Sequence, residues 1–449
     1  MTPPRTVTTL ALLCLGLAAQ AAPQALAEVA GAQRQAIDHW LEPRMPGLIG
    51  RYQQLHSQPE LSLQESKTAA LVADQLRQAG YTVHEGIGGH GVAGVLANGP
   101  GPTLLIRGDM DALPVTEDTG LPYASKVTVE NAAGDHVGVM HACGHDIHTV
   151  GMLGTAQLLA ALRDDWRGTL IFVGQPAEEL GSGSLAMIQD GLFERVGRPD
   201  FALALHVEPE LAAGQVGYTM GWTGANVDSV DITIFGRGGH GARPHKAVDP
   251  IVTSAYLITQ LQTLVSRRIA PREPAVVTVG SIHGGSKHNI IPEQVQLQLT
   301  VRSYADEVRQ TLIEGIRGMA RDTCASFQCP QPPAVSVRDH YTPSIYSDPA
   351  LVRRAATLFK AQFGAEQVVN WPPSMGGDDF ARYARTLKVP GMLFRIGTTD
   401  PERLRASRQP GGEPLPTLHS SHYAPEAAPA LQTAVRAMSL LALELLDRP

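Results

Sequence analysis

A thiol and an imidazole stand two positions apart in His141-Ala142-Cys143-Gly144-His145-Asp146. Thiolate and neutral imidazole are the donors that zinc and metals of similar softness prefer. Two adjacent acids follow in Gln175-Pro176-Ala177-Glu178-Glu179. One carboxylate of such a pair can hold a metal while its neighbour moves a proton. Both stretches also have plain structural readings. Cysteine and histidine occur in cores without a function, and adjacent acids usually lie in solvated loops. Context favours a site: Cys143 and His145 come just before a helix-like run, and the acids follow an apolar strand-like run and a proline. His141 and His148 are weaker candidates, His148 falling on the first helical turn, where a structural hydrogen bond is the expected role.

Other polar residues offer themselves to the same centre. Asp109 and Asp111 flank Met110. Aspartate in a turn often caps its own backbone, but an acid near a metal histidine can orient its ring, and Asp111 is the candidate for that. Leu418-His419-Ser420-Ser421-His422 supplies two histidines between which residue type alone does not choose. Asp378-Asp379 could also ligate, but reads first as a polar loop and helix start.

These residues need a scaffold. Thr103–Arg107 runs into Asp109, Thr169–Gly174 into Glu178-Glu179, and Phe201–Leu205 directly into His206, while Met392–Ile396 ends at Gly397. Ile147–Leu162 between the first two has helical periodicity. Short apolar strands alternating with helices predict an open, mostly parallel α/β sheet, in which ligands bind beyond the carboxyl ends of the strands. Three of these strands carry metal-capable side chains at that end. Helices are also expected over 28–55 and Leu63–Ala79. Near residue 226 the pattern changes: strand-like Asp228–Phe235, helical Pro250–Arg267, strands at Ala275–Gly280 and Val295–Arg302, helical Ala305–Ala320. This β-α-β-β-α order predicts a smaller α+β domain at 226–335, inserted between catalytic segments 28–225 and 336–449. Gly89-His90-Gly91-Val92-Ala93-Gly94 matches a dinucleotide-binding pattern, but a strand-like run follows it, not the helix that would receive a pyrophosphate.

The 449 residues exceed one ordinary core. A formal charge of −7 leaves no basic excess for nucleic acid. Arg5, the apolar run Leu10–Ala19 and the small-residue sites Ala19-Gln20-Ala21 or Ala25-Leu26-Ala27 read as a secretory signal peptide over residues 1–27, too short for a membrane span. Too little apolar sequence precedes Cys14 for a lipid attachment site. The mature chain is thus expected to be periplasmic or secreted. There Cys324 and Cys329 either pair or remain two separate thiols, and Cys143 lacks an obvious partner.

With these motifs in this order, the chain resembles the dinuclear-metal aminoacylase and carboxypeptidase family, and within it the amidohydrolase branch of hippurate hydrolases and plant auxin-conjugate hydrolases. The resemblance covers nearly all of the mature chain. It rests on Arg107-Gly108-Asp109-Met110-Asp111-Ala112-Leu113-Pro114, His141–Asp146, Gln175–Glu179, Gly238-Gly239-His240, Asn289-Ile290-Ile291-Pro292 and Leu418-His419-Ser420. It implies two divalent ions (zinc, manganese, nickel or cobalt) on Cys143, His145, Glu179, His206 and His419, with Glu178 as general base. It selects His419 over His422, because the branch's ligand precedes a serine. It implies a homodimer through the inserted domain, in which His240 reaches the partner's site to stabilise the oxyanion and Asn289 helps hold substrate. The branch usually has Glu-Asp-Phe at Asp378-Asp379-Phe380 and proline at Ser421, differences that bear on substrate rather than catalysis. The reading is a hydrolase of small N-acyl amino acids. The alternatives are a dipeptidase using the same site and a catalytically silent metal- or ligand-binding protein, against which the intact Glu178 speaks.

Overall fold

The computed structural model describes residues 33–130 and 134–446; the expected leader lies outside them. Twelve strands form the two main sheets. In chain order they are β1 (Thr82–Ile87), β2 (Gly91–Asn98), β3 (Thr103–Asp109), β4 (Gly168–Gln175), β5 (Phe201–Ala212), β6 (Val216–Tyr218), β7 (Asn226–Phe235), β8 (Ala275–His283), β9 (Gln294–Ser303), β10 (Ala334–Val337), β11 (Val368–Asn370) and β12 (Gly391–Thr399). The larger sheet has the order β1-β2-β4-β3-β5-β12-β6-β11. Its centre, β4-β3-β5-β12, is parallel, and β1, β2 and β6 add antiparallel pairings.

The central strands are apolar on both faces because both are covered. Leu104, Ile106, Leu170, Phe172, Leu203 and Leu205 enter one core. Their sequence neighbours Leu105, Ile171, Val173, Ala202 and Ala204 enter the opposite one, as the period of two in a strand requires. The first core is closed by α1 (Met45–Ser57), α2 (Ser66–Gln78), α3 (His145–Ala161) and, from further along the chain, Ala427–Leu445. α3 is buried on nearly every side, which is why its sequence is apolar all round rather than striped.

The second sheet, β8-β9-β7-β10, is antiparallel throughout. Here one face only is covered. Val230, Ile232, Ile234, Val295, Leu297, Leu299 and Val301 pack beneath α4 (Pro250–Thr263) and α5 (Asp306–Ser326). The alternate residues Val227, Ser229, Thr300 and Arg302 point the other way. The fold is therefore an open, mostly parallel α/β sheet with a smaller α+β unit inserted between its strands.

Sequence boundaries hold to within a few residues, with two notable differences. β5 does not end before His206 but runs through it to Ala212, because β12 continues to pair alongside it. α5 extends six residues beyond Ala320, to Ser326. It closes where Gln328 adopts a φ of 57° and the Cys329 amide donates to the Cys324 carbonyl at 2.9 Å. Cys143, Cys324 and Cys329 are all free thiols. Gly91 opens strand β2, so the glycine-rich stretch feeds a strand, as its sequence context indicates.

Candidate metal centre

The donors converge beyond the carboxyl ends of β3 and β4, beside His206 midway along β5. Gly144 caps the start of α3 with a φ of 75°, and a Cβ there would lie 2.7 Å from Val207 Cγ2. Only glycine tolerates both the left-handed backbone and that approach. It turns the chain so that Cys143 and His145 face one centre. Behind them, Asp146 accepts from His56 Nδ1 at 2.7 Å, and Glu117 lies 3.1 Å from His56 Nε2. Burial alone would lower the His56 pKa, but hydrogen bonds to Asp146 and Glu117 outweigh it and lift the imidazolium to about 10.

Cys143 Sγ lies 3.3 Å from His419 Nε2 and 3.7 Å from His206 Nε2. Glu179 Oε1 is 3.4 Å from His419 Nε2 and 3.9 Å from His145 Nε2. The ligand atoms fall into overlapping triads, Cys143-His145-His206, Cys143-Glu179-His419 and His145-Glu178-Glu179. The thiol belongs to the first two of these groups.

Does this set suit divalent metal? His145 Nδ1 donates to the Asp111 carbonyl at 2.8 Å and His206 Nδ1 to the Val207 carbonyl at 2.7 Å. Each bond fixes the proton on Nδ1 and aims a free Nε2 lone pair at the cluster. His145 Nε2 and Glu179 Oε1 are buried without a hydrogen-bond partner, an arrangement that costs energy unless something else engages them. Burial, and then the charge of Glu179, pushes the Cys143 thiol well above its ordinary pKa. A thiolate there needs a compensating cation. The donor chemistry fits.

Glu178 is mostly buried, with Oε2 3.9 Å from His145 Nε2 and its side chain 11% exposed. Burial first, then Asp378 and Glu179, raise its pKa well above the usual carboxylate range. The loop carrying both acids is held tightly. Ala177 adopts a φ of 50° and its amide donates to Glu65 Oε1 at 2.8 Å. The amides of Glu178 and Glu179 donate to the two oxygens of Asp111 at 3.1 and 3.0 Å. Asp111 meets the His145 ring, as expected of it, and does a second thing besides. The His145 ring rests on its main-chain carbonyl, while the carboxylate, 3.3 Å from Nδ1, chiefly clamps the acidic loop.

Several supporting groups stand behind the donors, His148 in the structural hydrogen-bonding role expected of it. Buried Arg107 donates to Asp109 at 2.6 Å, Asp378 at 2.8 Å and Gln175 at 2.9 Å. His148 donates through Nδ1 to Asp109 at 2.6 Å and accepts the Val207 amide on Nε2 at 2.9 Å. This network ties α3, β3, β4, β5 and the Asp378-Asp379 loop together behind the donors. Asp378 also accepts the Phe380 amide at 2.9 Å, opening the helix Ala381–Leu387, as its sequence context indicates. His141 is buried with no partner on either nitrogen and joins none of the donor groups among the described residues. His422 turns away, donating from Nδ1 to the Asp118 carbonyl at 2.7 Å.

His240 and Asn289 lie together but elsewhere. His240 pairs with Ile290 in a two-residue ribbon, and Gly241 N donates to the Asn289 carbonyl at 2.9 Å. Both are exposed, and neither lines the cavity over the donors. That cavity, about 450 Å³, runs from Cys143, Glu178, Glu179, His206 and His419 to the open face of the second sheet.

Comparison with known proteins gives a consistent result. Residues 105–409 match the model of peptidase family M20/M25/M40. The chain is 38% identical over 356 residues to the N-acetyl-L-cysteine deacetylase of Bacillus subtilis, covering 78% of this chain and 80% of that one. It is 37% identical over 358 residues to the hippurate hydrolase of Campylobacter jejuni, covering 78% and 88%. It superposes on a dinuclear metal-binding peptidase of Bacillus subtilis with a TM-score of 0.72 at 29% identity, covering 90% and 99%.

Proposed function

We propose that this chain, which belongs to peptidase family M20/M25/M40 and is a dinuclear metal-dependent amidohydrolase, cleaves the amide of N-acyl amino acids, hippurate-like compounds among them, to a carboxylic acid and a free amino acid. The observation that carries the reading is the placing of a proton-accepting acid, Glu178, against a donor set that shares one thiol. Two relatives named for N-acyl amino acids support the substrate class.

In this reading Cys143, His145, Glu179, His206 and His419 would hold the two ions. The ions supply Lewis acidity toward the amide carbonyl and acidify water. Glu178 takes the proton of the attacking water and returns one to the departing amine nitrogen. Asp111 and Glu65 keep Glu178 in place. Arg107, with Asp109 and His148, holds the strands and α3 in register behind the donors. His240 and Asn289 serve the site of a second copy of the chain, where His240 stabilises the oxyanion; their exposure together, outside their own chain's cavity, supports this. Export, with loss of residues 1–27, completes the proposal and rests on the leader-like sequence alone.

The test is a substrate panel on metal-reconstituted protein: hippurate and N-acetyl amino acids against dipeptides. Preferential turnover of the acyl compounds is expected. Dipeptides cleaved faster would make it an exopeptidase, and no turnover of either set would make it a binding protein.

A further inference from the structure

Helix α5 ends in a turn that sets two thiols side by side. Its last residues follow the Schellman pattern. The Gln328 amide donates to the Ala325 carbonyl at 3.1 Å, and the Cys329 amide to the Cys324 carbonyl at 2.9 Å. Gln328 takes the left-handed conformation, with a φ of 57°, that glycine usually supplies at this position. In such a turn the side chains at the two ends of the longer bond meet, normally as an apolar contact. Here both are cysteines. Cys324 is 3% exposed and belongs to the core of the inserted unit, and half-buried Cys329 packs against that same core.

The geometry meets the conditions for a bridge. The 2.9 Å hydrogen bond, with the covalent geometry at its two ends, holds the Cα atoms within about 7 Å of each other, which is the reach of a disulfide. The thiols are in contact: burial first, then a hydrogen bond with the Cys329 thiol, pushes the Cys324 thiol up to about 12. Cys143, the other cysteine among the described residues, stands apart in the metal-donor cluster.

We propose that Cys324 and Cys329, free thiols in this structure, are an oxidation site, at which a protein or small-molecule disulfide joins them into a clasp on the end of α5. The Cys329 thiolate, the more exposed of the two, attacks one sulfur of the oxidant, releases one thiol and leaves a mixed disulfide. The Cys324 sulfur then gives its proton to solvent and displaces the second thiol. One external disulfide is reduced to two thiols, and two protein thiols are oxidised to one disulfide. Closing is the slow step, because the buried Cys324 is seldom a thiolate.

The clasp locks a joint. Upstream, α5 is tied to α4 by the Thr323 hydroxyl, which donates to Gln260 at 2.8 Å, and by the Tyr256 and Phe327 rings, 5.1 Å apart. Downstream, Pro330-Gln331-Pro332-Pro333 leads into β10, and the chain runs on to Arg338 and Thr342 at the cavity. The inference does not depend on the amidohydrolase reading; the export proposed above would supply oxidising surroundings.

The experiment uses purified, metal-loaded, folded protein with oxidised glutathione as the probe. After incubation the protein is denatured, alkylated and digested with trypsin. Both cysteines lie in one peptide, since no lysine or arginine falls between Arg321 and Arg338. By mass, that peptide should be unalkylated and two hydrogens lighter than its reduced form, and dithiothreitol should restore alkylation at both residues. Hydrogen exchange at the Gln328 and Cys329 amides should slow by about tenfold or more on bridging, with kcat/KM unchanged. Cys329→Ser should leave Cys324 alkylated and amide exchange indifferent to oxidised glutathione. Two alkylated cysteines after incubation, a lasting glutathione adduct on Cys329, or a bridge from either residue to Cys143 overturns the proposal. So does a Cys324–Cys329 bridge that leaves amide exchange unchanged.

Discussion

Asp111→Asn separates two accounts of how the acidic loop is held. The carboxylate accepts the Glu178 amide on Oδ1, and the Glu179 amide and the Ser62 hydroxyl, at 2.6 Å, on Oδ2. Asparagine keeps the shape but owns one acceptor oxygen. Its amide group then meets at least one main-chain N–H head-on. An N–H left unpaired costs about 1–3 kcal/mol, and the remaining bonds lose the strength that the charge gave them. A total of about 2–4 kcal/mol is spent on distorting the Pro176–Glu179 loop, and at 1.36 kcal/mol per tenfold that predicts a fall in kcat/KM of roughly 30- to 1000-fold. Loss of a supporting hydrogen bond behind a ligand also weakens metal binding by about 10–100-fold. The His145 ring should stay in place, since its partner is the Asp111 carbonyl, which the substitution keeps. Steady-state kinetics and metal titration of the purified variant, with circular dichroism as a fold control, provide the test. Rates within about threefold of wild type would refute the clamp. Ser62→Ala removes one bond and should cost far less, about 0.5–1.5 kcal/mol.

Other predictions follow from particular geometry. Gly144→Ala forces a left-handed alanine, at about 1–2 kcal/mol, against a Val207 methyl 2.7 Å away, which adds about 1–3 kcal/mol; denaturation should show the sum, and unchanged stability would contradict the packing. His56 has a folded pKa of about 10 against an ordinary 6.5. A raised value stabilises fully below the unfolded pKa and is lost as pH climbs through the folded one, so wild type should lose up to about 5 kcal/mol relative to His56→Gln across that window. A pH-independent difference would remove the buried imidazolium from the account. Amino-terminal sequencing of exported protein should begin near Ala22 or Glu28, and retention of the first twenty residues would exclude a cleaved leader.

The legible parts of the molecule were those that local chemistry dictates. Alternating and continuous apolar runs revealed both sheets, because side-chain period records which faces are covered. Cys143, His145 and the Glu178-Glu179 pair stood out because their residue types are rare at strand ends unless used. What escaped was non-local. Arg107 meets Asp378 across 271 positions of sequence, and Glu65 reaches Ala177 across 112. Such partners are set by topology, which no spacing reveals. The strand through His206 was cut short for a related reason: a polar residue looks like a strand end until a neighbour, here β12, is known to continue beside it. The Asp111 carbonyl escaped because main-chain groups have no residue type to read.

The central claim is that Glu178 moves protons while its neighbour holds metal. It is tested most directly by metal analysis beside kinetics on Glu178→Gln and Glu179→Gln. Glu178→Gln keeps the shape but accepts no proton; it should bind metal as wild type does and lose about 10²–10⁴-fold or more in rate. Glu179→Gln should come out depleted of metal, with activity partly restored by added ion. Metal lost from Glu178→Gln and kept by Glu179→Gln would reverse the two roles, and wild-type rates in both would contradict the account altogether.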